Sequence, residues 1–93
     1  MSEIAVEVSP TESGWLARVT VAERGGSREF EVTVTDAELA RLAPGATDPS
    51  DLVRRSFRFL LAREPKESIL RSFGLSLIGR YFPEYEGEMR EGG

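Results

Sequence analysis

The sequence contains no cysteine and no histidine. The lack of cysteine excludes disulfide bonds, thiolate nucleophiles and sulfur-ligated metal sites from these 93 residues. The lack of histidine removes the most common general base and the most common transition-metal ligand. The remaining side chains match no catalytic or metal-binding motif that we can identify. We therefore predict a protein that is not an enzyme and that has no cofactor and no metal site.

Long apolar runs are also missing, so the sequence predicts no membrane-spanning segment and no membrane partner. The N-terminal residues MSEIAVEVSP lack the basic and apolar regions of a secretory signal, and we expect a cytoplasmic protein. A net charge of −4 argues against general affinity for nucleic acids. The charge is uneven, because residues 54–82 contain seven basic and only two acidic residues.

The composition, with 40% hydrophobic and 30% charged residues, is typical of a small globular protein. We predict one α+β domain over residues 1–83. Residues 84–93 are rich in glutamate and glycine, with little to bury except Tyr85, and they predict a flexible acidic tail.

Three segments alternate apolar and polar residues, a period typical of half-buried strands, at about 3–8, 15–24 and 28–35. Pro10 is expected to end the first. Gly25-Gly26 is a hairpin signal, and a two-residue loop there sets Val21 opposite Phe30, with apolar residues facing apolar residues throughout. A three-residue loop would put the two faces out of step. The pattern predicts a three-stranded antiparallel meander with one solvated face.

Three helices are predicted to pack against this sheet, followed by a short helical turn. They cover about residues 36–43, 49–64 and 66–73, and the turn lies near 76–82. Thr35 and Glu38 have the spacing of a capping box, and Asp48-Pro49 is typical of a helix start. Pro65 is expected to end the second helix, and Gly74 to cap the third.

The segment FRFLLAREPKESILRSFGLSLIGRYFPEY, residues 57–85, resembles a group of small bacterial proteins of unknown function. Members of that group share an FLL-x-REPKESILR-type run and an RYFPEY-type close behind a strand-rich N-terminal half. The close resemblance covers about a third of the chain. It implies a bacterial domain, and it carries no activity, cofactor or catalytic residue to this sequence.

Aromatic residues near the C-terminus and at a strand start are the candidate protein interface: Tyr81, Tyr85 and Trp15. Exposed aromatic side chains are enriched at interaction surfaces, although the same residues could complete a small core. We therefore expect a non-enzymatic interaction module, or a homodimer, that acts through the C-terminal helices.

The alternative is contact with the phosphates of RNA or DNA through Arg54, Arg55 and Arg58. Arg54 and Arg58 lie one helical turn apart, so their guanidinium groups would project side by side. A solvated helix face explains the same pattern, and the acidic composition favours that interpretation.

Overall fold

The computed structural model describes residues 2–91, which form four strands and four helices. In chain order these are β1 (Glu3–Thr11), β2 (Gly14–Glu23), β3 (Gly26–Thr35), α1 (Asp36–Leu42), α2 (Ser50–Leu61), β4 (Ser72–Gly74), α3 (Leu77–Tyr81) and α4 (Tyr85–Arg90), with a 3₁₀ turn at Lys66–Ser68. The strand order is β1-β2-β3-β4, with β4 parallel to β3 and the other pairs antiparallel. The predicted α+β class is confirmed, but the sheet is mixed and has one more strand than predicted.

One face of the sheet is buried by the helices, and the other is open to solvent. The buried side chains of the two central strands are Ala17, Val19, Val21, Phe30, Val32 and Val34. Arg18, Glu29 and Glu31, which alternate with them, are exposed. The rings of Phe30 and Phe57 have centroids 5.1 Å apart, which places α2 against the buried face. The predicted solvated face is therefore confirmed.

The β2–β3 hairpin has the even-length loop predicted, but the register differs by two residues. Val19 lies opposite Phe30, and Glu23 and Gly26 close a two-residue loop at Arg24-Gly25. The expected loop at Gly25-Gly26 is therefore wrong. The positive φ of 136° belongs to Gly26, which lies outside the loop. A shift of two leaves every side chain on its predicted face, which is why alternation alone could not detect it.

Strand β1 continues through Pro10 to Thr11, so the prediction that Pro10 ends the strand is wrong. β1 is an edge strand, and a proline there is tolerated because its missing N–H can face solvent instead of a neighbouring strand. Pro10 lies opposite Trp15, and only Glu12 and Ser13 form the turn into β2.

The capping box at the start of α1 is confirmed. The Thr35 hydroxyl accepts a hydrogen bond from the Glu38 N–H (3.0 Å), and the Glu38 carboxylate accepts one from the Thr35 N–H (2.8 Å). The second oxygen of this buried carboxylate accepts from the Ser76 N–H at 3.1 Å. Glu38 therefore ties the start of α1 to the residue that precedes α3.

The predicted helix at 66–73 is wrong beyond its first turn. Only Lys66–Ser68 is helical, and the chain then becomes extended and pairs with β3 as β4. Arg71 C=O accepts from Glu31 N–H at 2.7 Å, and Leu75 N–H donates to Thr33 C=O at 3.0 Å. An eight-residue helix is marginal by itself, whereas the open edge of β3 offers hydrogen-bonding groups that an extended segment satisfies.

Residues 84–91 are not the flexible tail that the composition predicts, and residues 92–93 of that predicted tail lie outside the described residues. Residues 84–91 contain α4, whose Tyr85 and Met89 side chains are buried. Arg55 donates to the Met89 carbonyl oxygen at 3.0 Å, so a basic side chain satisfies a carbonyl in the last turn of the helix. The predicted turn near 76–82 is confirmed as α3, and α2 is shorter at both ends than the predicted 49–64.

Candidate apolar groove

An apolar groove of about 410 Å³ opens between the end of α2, the segment leading into β4, and α3. We call this the apolar groove; its lining residues are Leu60, Glu64, Ser68, Ile69, Leu70, Phe73, Leu77, Ile78, Tyr81 and Phe82. Leu70 is 55% exposed and Tyr81 is 69% exposed, and within residues 2–91 these two are the large hydrophobic residues left exposed. Both residues line one concave site, and exposed apolar side chains in such a site are typical of a binding surface.

The floor of the groove belongs to the core, and its rim does not. Ile69 and Ile78 are buried, and Phe82 packs edge-on against Phe59 with centroids 5.7 Å apart. Ile69 has an extended backbone (φ −82°, ψ 133°) and a buried side chain, whereas the side chain of the next residue, Leu70, is exposed. Tyr81 lies one helical turn from the buried Ile78, at the end of the short helix α3. The rim is thus fixed in place by buried neighbours.

Of the three predicted interface residues, Tyr81 lies in the groove and Tyr85 is placed elsewhere. Tyr85 is 1% exposed, with its hydroxyl 2.6 Å from the Ser56 hydroxyl and its ring 5.3 Å from that of Phe59. Burial raises the pKa of Tyr85 to about 12. Tyr85 is therefore a core residue and cannot serve as an interface anchor. Trp15 is half-buried against the core, and it does not line the groove.

The fold leaves fewer arginines available for phosphate contact than the sequence predicts. Arg55 has a side chain only 15% exposed, donates to Asp51 at 3.0 Å, and also holds the Met89 carbonyl. Arg54 is half-buried and Arg58 is exposed. Within residues 2–91 neither of these two arginines forms an ion pair. Two guanidinium groups, one of them half-buried, remain for phosphate contact instead of three.

Arg63, a basic residue just beyond the end of α2, has a structural role. Its guanidinium carbon lies 3.5 Å from the centroid of the Phe59 ring, and its nitrogens bond to Glu84 (3.4 Å) and Glu88 (3.1 Å). A cation over an aromatic face with two carboxylates beside it holds α4 against the end of α2. Two of the four glutamates of the predicted tail are therefore partners of this arginine.

A polar network at the far end of the hairpin fixes the 3₁₀ turn. Lys66 is buried between Glu23 (2.9 Å) and Glu67 (2.8 Å), and Ser2 also donates to Glu23. These hydrogen bonds raise the pKa of Lys66, and the bonds from Ser2 and Lys66 lower the pKa of Glu23. Because the Lys66 ammonium bonds to carboxylates on β2 and in the 3₁₀ turn, the geometry indicates a structural role for Lys66.

A second, mixed-charge cleft of about 360 Å³ lies on the solvated face of the sheet. Its lining residues are Arg18, Glu29, Phe30, Glu31, Arg71 and Ser72. Arg18 and Glu31 face each other across β2 and β3 at 3.7 Å. Because acidic and basic side chains alternate here, this cleft presents no strong field of one sign.

Leu70 was not identified from the sequence as a site residue, because residues 66–73 were predicted to form a helix. Ile69 and Phe73 are four residues apart, a spacing that fits a helix as well as a strand, so the apolar pattern did not indicate β4. Within residues 2–91, no group of three or more acidic side chains is placed to hold a metal ion. No helix among the described residues is long and apolar enough to cross a membrane.

No family model, no curated protein and no solved structure matches the chain. The resemblance of residues 57–85 to a group of small bacterial proteins therefore stays a prediction.

Proposed function

We propose that this chain is a non-enzymatic protein-binding module whose apolar groove takes the apolar side chains of a segment of another protein. The observation that carries the proposal is the exposure of Leu70 and Tyr81 at the rim of a single apolar groove. Within residues 2–91, no described side-chain hydrogen bond joins the Ser68 or Tyr81 hydroxyl of the groove to a group that could activate it as a nucleophile. With no histidine in the chain, Ser68 lacks the base that most often activates a serine.

The size of the groove favours a segment of another protein over a second copy of this chain. A stable dimer interface buries about 1,200–2,000 Å² in total, with an apolar centre of many residues. Here two exposed hydrophobic residues surround a concave site of about 410 Å³. A site of this volume suits a few anchoring side chains of a peptide segment.

The test is selection of short random peptides, displayed on phage, against the immobilised chain. The selected peptides are then measured against a Leu70→Ser/Tyr81→Ser variant. Loss of two exposed anchors should weaken binding roughly 30-fold or more, the effect expected of hot-spot residues. Leu16→Ser is the matched control, because Leu16 is a half-buried hydrophobic residue on the opposite face of the sheet.

Peptides whose affinity is equal for the wild type and the groove variant would contradict the proposal. Light scattering of the free protein tests whether a second copy of this chain, instead of a segment of another protein, occupies the groove. We expect the mass of a monomer, 10.3 kDa, over the concentrations used. If the wild type is a dimer and the groove variant is a monomer, the groove binds a second copy of this chain and not a segment of another protein.

Phosphate contact through Arg54 and Arg58 is the weaker second candidate, supported by two neighbouring guanidiniums that have no ion-pair partner within residues 2–91. It predicts an affinity for single-stranded or duplex oligonucleotides that falls steeply with salt and falls further in Arg54→Ala/Arg58→Ala. Binding that is absent at low ionic strength would remove this candidate.

A further inference from the structure

Strand β4 forms one outer edge of the sheet and lies directly beside the apolar groove. Its pairing with β3 uses the Arg71 carbonyl and the Leu75 N–H, with Phe73 opposite Val32. Because the residues that bond to a neighbouring strand alternate, Phe73 directs its backbone groups toward β3, and Ser72 and Gly74 direct theirs away. Apart from strand pairing, no hydrogen bond described for residues 2–91 uses the backbone of Ser72 or Gly74.

The side chains around β4 meet a cleft on each face of the sheet. Phe73 lines the apolar groove together with Leu70 and Tyr81. Ser72 and Arg71 line the mixed-charge cleft on the solvated face. A strand placed along β4 would direct alternate side chains to these two clefts, because successive residues of a strand point to opposite faces.

We infer that the segment bound in the apolar groove is extended and adds to β4 as a fifth strand. Its backbone pairs with Ser72 and Gly74, its alternate apolar side chains enter the groove, and its intervening polar side chains lie over the solvated face near Arg71. This inference rests on the proposed function and names its mode of recognition. A helical segment would leave the open edge of β4 without partners, because a helix satisfies its own backbone groups.

The two edges of the sheet differ in a way that favours β4 as the docking edge. β1 carries Glu3, Glu7 and Pro10, and charges and proline are the features by which natural proteins prevent pairing at a sheet edge. β4, with the sequence Ser-Phe-Gly, carries none of them. β1 is therefore protected by charge and proline, whereas β4 beside the groove is protected only by its length of three residues.

The first test is amide hydrogen exchange in the ¹⁵N-labelled full chain, with and without a groove-dependent peptide from the selection above. In the free protein the Ser72 and Gly74 amides should exchange quickly, because they face the open edge. Bound peptide should slow both by about tenfold or more and change the Phe73 amide less, since Phe73 already bonds to β3. Unchanged exchange at both Ser72 and Gly74 in the complex would overturn strand addition.

The second test replaces the peptide backbone N–H groups one at a time by N-methyl groups, which leaves the protein unaltered. Strand addition predicts that methylation weakens binding about tenfold at every second residue and little at the residues between. Equal affinity for all the methylated peptides, or losses of affinity with a period near 3.6 residues, would overturn the inference. The proposed function would stand as long as binding still depends on Leu70 and Tyr81. Peptides that bind the Leu70→Ser/Tyr81→Ser variant as tightly as the wild type would contradict the proposed function itself.

Discussion

Replacing each of the two tyrosines in the sequence RYFPEY by alanine should change the free energy of unfolding by very different amounts. Tyr85 is 1% exposed and packs edge-on against Phe59. Truncating a buried aromatic side chain to alanine costs about 3–5 kcal/mol. The Ser56 hydroxyl would still donate to the Leu52 carbonyl at 2.7 Å, so Tyr85→Ala leaves no buried donor without a partner and adds no further penalty.

That cost is large for this chain, because small domains unfold with a free energy of only about 5–15 kcal/mol. It should lower the Tm by about 12 °C or more. Tyr81 is 69% exposed, and a surface substitution changes the free energy of unfolding by no more than about 0.5 kcal/mol. The two variants share the same chemical change, so the difference between them reports burial alone.

The assay is urea unfolding followed by the fluorescence of Trp15, the one tryptophan of the chain, which packs against the core. We expect Tyr85→Ala to shift the midpoint strongly and Tyr81→Ala to leave it nearly unchanged, with similar slopes for both. A loss of unfolding free energy below about 1 kcal/mol for Tyr85→Ala would refute the docking of α4 and would support the flexible tail that the composition predicts.

Three further predictions concern stability. Because burial raises the pKa of Tyr85 from 10.0 to about 12, its contribution is complete below pH 10 and should fall by up to about 3 kcal/mol as the pH rises to 12. In urea titrations across that range, Tyr85→Phe should remove this part of the alkaline loss and leave the part that comes from Lys66, whose pKa is also raised. Gly14→Ala should destabilise by about 1–3 kcal/mol, because a Cβ there would lie 2.1 Å from the Val34 carbonyl oxygen, whereas Gly25→Ala, with open space around it, should not; equal midpoints in thermal unfolding would contradict this. Thr35→Ala removes the N-cap of α1 and should cost about 1 kcal/mol, measured by the same unfolding, while an unchanged stability would mean that the capping box does not hold in solution.

Local patterns predicted much of this fold because they report local physics. The alternation in β2 and β3 identified the buried face, and the spacing of Thr35 and Glu38 identified the start of α1. The hairpin register was off by two residues, because such a shift keeps the same faces and the apolar residues then pair equally well.

The errors arose where a distant partner decides the conformation. Residues 72–74 are extended because β3 offers them an open edge, which no local pattern in 66–73 reveals. Residues 85–90 dock as a helix because Tyr85 and Met89 enter the core formed by earlier elements. Arg55 and Arg63, far back in the sequence, add hydrogen bonds to this segment. Tyr81 was found as a candidate, while Leu70 was missed together with the strand that follows it.

The measurement that tests the central claim most directly is the affinity of one selected peptide for three proteins, determined by isothermal titration calorimetry. The proteins are the wild type, the Leu70→Ser/Tyr81→Ser variant and the Arg54→Ala/Arg58→Ala variant. We predict that the groove variant binds roughly 30-fold or more weakly and that the arginine variant binds like the wild type. Full affinity in the groove variant, with the loss found instead in the arginine variant, would contradict the assignment of the apolar groove as the binding site.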